Sequence, residues 1–316
     1  MVQLLFPTLL ARTMVQKPPI AVMSFNRPDY LRQVLISLAA QDDGSHGPVH
    51  LFQDGAVNPI SGRRSADQAD IDRCLEIFRV IFPNGIVHYK GYNVGVAQNF
   101  FEAESYFFNE IKAEAVYFFE DDMVLSPYYL RLMDFFFELY REPRKVGYFA
   151  AYGSLKAPAA EQAKKRLELR RLAHHWGFGL FRHHWLEMQP IMQKYYEVTL
   201  GRDYRDRDHK IITGSYRDRG ILIGVSSQDD VKKSVSYYLG RPSLNTFAVY
   251  GRYIGAKGLH MTPESFEKTG YHLTEWLDGV DLRFKHPTDE QIERMLVDET
   301  TGRRANIEKQ MAAKKV

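Results

Sequence analysis

This sequence predicts an α/β fold: a mostly parallel central sheet, helices on both faces, and a C-terminal extension on one side. Three observations carry that reading. Short apolar runs rich in β-branched and aromatic residues alternate with amphipathic stretches of helical length through the first half. The runs end in polar or glycine-containing turns. The fourth of them, AVYFF at 115–119, leads directly into Glu120-Asp121-Asp122, which places three carboxylates where open α/β sheets bind their ligands.

Taken in order, PIAVMSF (19–25) reads as a strand, and Asn26-Arg27-Pro28 opens a helix with proline in its first turn. Leu31, Val34, Leu35, Leu38 and Ala39 form that helix's apolar face. VHLF (49–52) is a second strand ending at Gln53-Asp54-Gly55. A helix over 67–82 follows, with Cys74 on its apolar side beside Ile71, Leu75 and Phe78. IVHY (86–89) is a third strand, followed by the turn Gly91-Tyr92-Asn93-Val94-Gly95 and a phenylalanine-rich helix. After the acids, Ser126-Pro127 offers a cap and a first helical residue. Beyond Gly147-Tyr148-Phe149-Ala150 the pattern loosens. Residues 155–172 read as a loop over the site or a solvated helix, the run of basic residues favouring the latter. Residues 202–219, dense in both charges, read as surface. Thr288 with Gln291 three residues on caps a final helix, and a basic tail ends at Lys314-Lys315.

The chain has 316 residues, enough for a large core, and its 45% hydrophobic and 26% charged composition is that of a globular protein. Aromatics reach 13%, which suits core filling or stacking on a base or sugar. A net charge of +3 is too small to argue for nucleic acid as a partner. A single cysteine excludes an intramolecular disulfide and fits a reducing compartment. The early run LLFPTLLA is too short to span a bilayer, is broken by Pro7 and lacks a leading basic region, so a cytoplasmic location is expected.

Several chemistries are excluded by missing motifs. There is no Gly-x-x-x-x-Gly-Lys-Ser/Thr loop, and no Gly-x-Gly-x-x-Gly follows the first strand. The histidine pairs at 174–175 and 183–184 lack cysteine partners and zinc-ligand spacing, which favours structural roles. What remains is a constellation at predicted strand ends: Arg27 after the first, Asp54 after the second, Glu120-Asp121-Asp122 after the fourth. Adjacent acids repel unless a cation or hydrogen-bond donors hold them, and hard oxygen ligands suit Mg²⁺ or Mn²⁺. An arginine meets phosphate or ribose oxygens, and a carboxylate can accept the N3 hydrogen of a uracil. A solvated acidic turn is the plain alternative for the acids. For Asp229-Asp230, ahead of the apolar positions Val231, Val235, Tyr238 and Leu239, the alternatives are helix capping and a general base kept ionised by the helix N-terminus.

The segments PIAVMSFNRPDYLRQVLISL, FQDG, YKGYNVGVAQNF and FFEDDMVLSPYYL resemble GT-A-fold (Rossmann-like) glycosyltransferases, most closely the inverting N-acetylglucosaminyltransferases that extend mannose. In that class a Glu-Asp-Asp run stands for the usual Asp-x-Asp and is followed by a proline that opens a helix. The likeness covers roughly residues 18–135 and resumes at WGFGLF (176–181), SQDDV (227–231) and GRYIGAKGLHMT (251–262). It implies that Arg27 and Asp54 hold the nucleoside, that Asp122 ligates Mn²⁺ (or Mg²⁺), and that Glu120 and Asp121 support sugar and ribose contacts. Asn93 joins the binding residues and His260 is a candidate for metal or pyrophosphate. Asp230 matches the catalytic base, with Asp229 its competitor. The family's Trp-Asp-Asp-Trp is here SQDDV, a departure that bears on the acceptor.

The implied organisation is a nucleotide-sugar-binding half (1–150), an acceptor and base half (151–270) and a helical extension (271–316). The implied activity is inverting, metal-dependent transfer of a sugar, GlcNAc favoured, from a UDP-sugar to a hydroxyl of a glycan or lipid-linked acceptor. Lacking the anchor and stem of the Golgi enzymes, the chain is expected to be a soluble microbial or viral relative. The basic stretch 164–171 and the tail add peripheral association with an anionic inner-membrane surface to the expected partners. A retaining transferase and a non-catalytic carbohydrate- or membrane-surface-binding protein are the alternatives. A sugar-nucleotide pyrophosphorylase is disfavoured, because SFNRPDYL replaces the glycine-rich loop its first strand would need.

Overall fold

The computed structural model describes residues 17–313 apart from 43, 45, 259 and 260. The run at 4–11, His260 and Lys314-Lys315 therefore lie outside the described residues. In chain order the elements are β1 (Ile20–Ser24), α1 (Pro28–Ala39), β2 (Val49–Gln53), α2 (Gln68–Ile81), β3 (Ile86–Tyr89), α3 (Val96–Ser105), β4 (Ala115–Glu120), β5 (Met123–Leu125) and α4 (Tyr129–Tyr140). There follow β6 (Tyr148–Ala150), α5 (Ala159–Lys164), β7 (Leu169–Arg171), β8 (Gly177–Phe181), α6 (Arg182–Thr199), α7 (His209–Arg217) and α8 (Gln228–Tyr238). The last are β9 (Ser243–Thr246), β10 (Gly251–Tyr253), α9 (Pro263–Thr269) and α10 (Asp289–Ala313). A π-helical turn at Tyr106–Glu110 extends α3, and a 3₁₀ turn at Tyr204–Asp206 precedes α7.

Eight strands form one sheet in the order β3-β2-β1-β4-β8-β6-β9-β7. Its pairings are parallel except around β8, which runs against both β4 and β6, and at the edge, where β7 runs against β9. β5 and β10 make a separate antiparallel pair. Successive side chains of a strand point to opposite faces, and β4 shows what each face meets. The Phe118 ring lies 6.0 Å from Phe100 of α3, whereas Phe119 lies 5.6 Å from Tyr129 of α4 and the Tyr117 hydroxyl donates to Asp134 of α4 at 2.9 Å. Both faces are thus covered, and every residue from Ala115 to Phe119 is buried. That double burial explains why β4 reads as a continuous apolar run rather than an alternating one.

α1 begins at Pro28 and buries Leu31, Val34, Leu35 and Leu38, while Ala39 is exposed. Cys74 is buried in α2 with Ile71, Leu75 and Phe78. Thr288 and Gln291 form the reciprocal capping box, with backbone-to-side-chain bonds of 2.8 and 3.2 Å.

Three local expectations are corrected. Ser126-Pro127 does not open a helix: Met123–Leu125 first pairs with β10, and α4 starts at Tyr129. Residues 155–172 are neither a loop nor one solvated helix, because Leu169–Arg171 joins the main sheet as β7 after the short α5. In α8 Tyr237 is the buried tyrosine, with Tyr238 left 56% exposed.

Candidate functional site

The turns after β1, β2 and β4 meet at one edge, because those strands are parallel neighbours in the sheet. At its centre Arg27, the residue before α1, reaches across to the turn between β4 and β5. Its Nη1 donates to Asp122 Oδ2 at 2.7 Å and its Nη2 to Asp121 Oδ1. Asp121 and Asp122 are almost wholly buried, at 3% and 2% exposure. Each keeps one buried oxygen, Oδ2 of Asp121 and Oδ1 of Asp122, with no hydrogen-bond partner among the described residues. Buried carboxylate oxygens are costly to leave unpaired, so this pair fits an added cation or hydrogen-bond donors. Among the described residues no three His, Cys, Asp or Glu side chains form a cation site by themselves.

The electrostatics follow from that crowding. Burial pushes the Asp122 carboxyl up to about 6, with Arg27 pulling down and Asp121 pushing up. Glu120 is held well above the usual carboxylate range by burial and by the charges of Asp122 and Asp229. For Arg27 burial weighs against its charge, yet Asp121 and Asp122 outweigh that and raise its affinity for the proton.

Asp54 is in a different condition. Its Oδ1 accepts from the backbone N–H of Gly55 and Val94 at 2.9 and 2.7 Å. Its Oδ2 accepts from Asn93 Nδ2 and Gly95 N at 2.8 and 3.0 Å. About four lone-pair sites serve a carboxylate, so Asp54 has none left for a uracil N3–H. Asn93 is spent alongside it, donating also to the Gly55 carbonyl at 3.1 Å. Sequence reasoning assigns Asp54 to the nucleoside and counts Asn93 among the binding residues. In the structure both tie the turn after β2 to the turn between β3 and α3. The second turn is clamped from outside as well: Gly95 has φ +78°, and a Cβ there would sit 2.7 Å from Cβ of Tyr204. Burial pushes Asp54 up to about 6 against the pull of its backbone donors.

The neighbouring acids at the start of α8 also part company. Asp230 Oδ2 accepts from the backbone N–H of Gly224 and Val225, both at 3.1 Å, and Oδ1 takes Arg303 of α10 at 2.8 Å. Asp229 is half-buried and has no hydrogen bond or ion pair among the described residues. Its charge reaches Glu120, His174, Tyr195 and Tyr204. Of the two, Asp229 acts on Glu120 through its charge, and Asp230 anchors α10.

Sequence reasoning missed the wall of the site. Tyr253 of β10 stacks on Trp176 at 4.2 Å between centroids, and Trp176 stacks on His174 at 4.1 Å. The wall is tied to the acids by the Glu120 N–H, which donates to the Trp176 carbonyl at 2.9 Å. Burial and Lys233 lower His174 to about 4. The tyrosine ends β10, and on the turn that follows a Cβ at Gly255 would fall 2.5 Å from Asp122 Oδ2. The fragments WGFGLF and GRYIGAKG contain these residues, but nothing in their spacing marks Trp176 and Tyr253 as partners. Also unforeseen is the buried Lys232–Glu104 pair, 2.6 Å apart, with Trp185 Nε1 donating to the same carboxylate at 3.1 Å.

No family model matches the chain, and no curated protein does. Among solved structures, it aligns with glucosyl-3-phosphoglycerate synthase from Mycobacterium tuberculosis in complex with Mn²⁺, UDP-glucose and phosphoglyceric acid. That alignment has 10% identity and a TM-score of 0.34, over 54% of this chain and 58% of that one. The same enzyme with Mn²⁺, UDP-glucose and glycerol 3-phosphate gives 10% identity and 0.33, with the same coverage. S. aureus TarS, residues 1–349, gives 15% identity and 0.40, over 80% of this chain and 62% of that one. The chain thus spans about three fifths of these structures' length, and likeness this loose carries no argument about activity.

Proposed function

We propose that the chain is a divalent-metal-dependent glycosyltransferase that takes a UDP-sugar as donor, GlcNAc favoured, and inverts the anomeric carbon. The observation that supports it most is the buried Asp121-Asp122 pair, held by Arg27 and keeping two oxygens unpartnered among the described residues, with the charge of Asp229 acting on neighbouring Glu120. In this reading Asp122, with Asp121 beside it, would hold Mn²⁺ or Mg²⁺. Such an ion would stabilise the negative charge that builds on a departing nucleoside diphosphate. Arg27 binds phosphate oxygens as a planar fork. Asp229 takes the proton from the acceptor hydroxyl, a role that needs a carboxylate free to accept. We assign the base to Asp229 rather than Asp230 because Asp230's oxygens already serve Arg303, Gly224 and Val225. The loop clasped by Asp54 and Asn93 supports the nucleoside through its backbone. The Trp176–Tyr253 wall limits water around the reacting carbon.

The acceptor in this reading is a glycan or lipid-linked hydroxyl. Among the described residues no helix is long and apolar enough to cross a membrane. The test is UDP release from a panel of UDP-sugars with and without Mn²⁺, followed by NMR of the product. Metal-dependent release and an inverted anomer are expected. A retained anomer would replace the mechanism, and no release from any donor, with UDP bound, would favour a binding protein.

A further inference from the structure

Three acidic residues and one guanidinium share the centre of the site, and the guanidinium stands on the acids that the proposed cation needs. Arg27 spans both aspartates, one nitrogen on each, with its side chain 25% exposed against 5% and 3% for theirs. A guanidinium keeps its charge throughout any accessible pH. A divalent ion on Asp121 Oδ2 or Asp122 Oδ1 would therefore arrive within a few ångströms of a fixed positive charge, where repulsion in a poorly solvated site is strong. Full occupancy of the aspartates by the ion requires Arg27 to loosen its hold.

Away from the aspartates the guanidinium meets two groups that are not acids. Its Cζ lies 5.5 Å from the Tyr30 ring centroid, and the Tyr30 hydroxyl accepts from the Lys257 N–H at 3.1 Å. Beside Nη1 stands Gly258, where even an added Cβ would remain 3.6 Å away. Among the described residues, the side of the guanidinium away from the acids is thus met by a glycine and an aromatic face.

We infer that Arg27 and the divalent cation compete for Asp121 and Asp122, and that a diphosphate relieves the competition by taking the displaced guanidinium. This rests on the donor and metal reading above. Its consequence is cooperative binding: the ion binds weakly alone and more tightly with UDP, and by linkage UDP gains equally from the ion.

The experiment is Mn²⁺ titration of the intact chain by calorimetry, with and without UDP, for wild type, Arg27→Gln, Arg27→Lys and Asp122→Asn. Without nucleotide, Arg27→Gln should bind Mn²⁺ about tenfold more tightly than wild type, and its gain from UDP should shrink by a similar factor, within the usual range of coupling between sites. Arg27→Lys keeps the charge and should keep Mn²⁺ binding weak, which also covers the case of Arg27→Gln failing to fold. Unchanged or weaker Mn²⁺ affinity in Arg27→Gln would overturn the inference, as would an Arg27→Lys protein that binds Mn²⁺ tightly. If those results came with Mn²⁺ binding still lost in Asp122→Asn, only the competition would fall. If Asp122→Asn left Mn²⁺ binding untouched, the metal site itself would fall with it.

Discussion

Strand-end carboxylates stand on both sides of Arg27's strand, and the two sides differ in what they have left to give. Asp54, after β2, accepts four hydrogen bonds, one from its own turn and three from the turn before α3, and is a closed structural knot. Asp121 and Asp122, after β4, meet one arginine and, among the described residues, keep an unpaired oxygen each. The same contrast recurs between Asp230, fixed by Arg303 and two backbone donors, and Asp229 beside it. A satisfied acid holds a backbone in shape. An acid with oxygens to spare holds something else. Position at a strand or helix end, which the two kinds share, does not separate them; counting donors does.

The largest effect expected from this contrast is on turnover. Asp229→Asn should lower transfer by about 10²–10⁴, the usual contribution of a general base, while UDP-sugar binding stays within a factor of about two. Asp230→Asn should leave more of the rate and instead weaken the tie to α10, costing on the order of 1–2 kcal/mol in urea unfolding. If the rates fall in the opposite order, the division between the two acids is wrong.

Next is binding. Asp122→Ala should remove the Mn²⁺-dependent part of UDP affinity in calorimetry, with the far-UV circular dichroism spectrum unchanged. Persisting metal dependence would place the ion elsewhere.

The third expectation treats Asp54 as structure. Asp54→Ala leaves the Val94 and Gly95 N–H groups without their acceptor, at a cost on the order of 2–4 kcal/mol. UDP and inorganic pyrophosphate should lose affinity alike, because the loop loosens as a whole. A loss confined to UDP would restore base reading by Asp54.

The smallest effect concerns a spent group far from the acids. His50 Nδ1 lies 3.0 Å from His88 Nε2, and burial together with His88 lowers His50 to about 4. A folded-state value below the unfolded one of about 6.5 means that this stability is present above pH 6.5 and is lost as pH falls toward 4. Moving from pH 7 to 5 should cost about 1–2 kcal/mol through this group. His50→Phe should flatten that part of the urea-midpoint profile, and an unaltered profile would show that His50 is not responsible.

The fold was legible because burial on both faces of the sheet writes itself as apolar runs, and β1 to β4 follow those runs within a residue or two. Local chemistry was legible too: Pro28 opens α1, and Thr288 with Gln291 caps α10. What stayed hidden depends on contacts between distant segments. β7 carries three half-buried residues, so its sequence has no core signature, and its pairing with β9 decides it. Asp230's duty is set by Arg303, 73 positions away. The Trp176–Tyr253 stack joins the entrance of one strand to the exit of another. No period or motif within either segment encodes such pairings.

The reversal of β8 has a consequence for how this site can change. Because β8 runs against β4, its beginning rather than its end lies beside Glu120, with Phe119 opposite Gly177. Trp176 therefore enters the site from a segment that precedes a strand, while the acids and Arg27 come from segments that follow theirs. Substitutions at 173–176 can reshape the wall without lengthening or redirecting any chain that carries a carboxylate. Two parts of one site, its charge and its wall, then reach it by different routes along the chain, so side chains at 173–176 can vary while the segments that carry the acids keep their course.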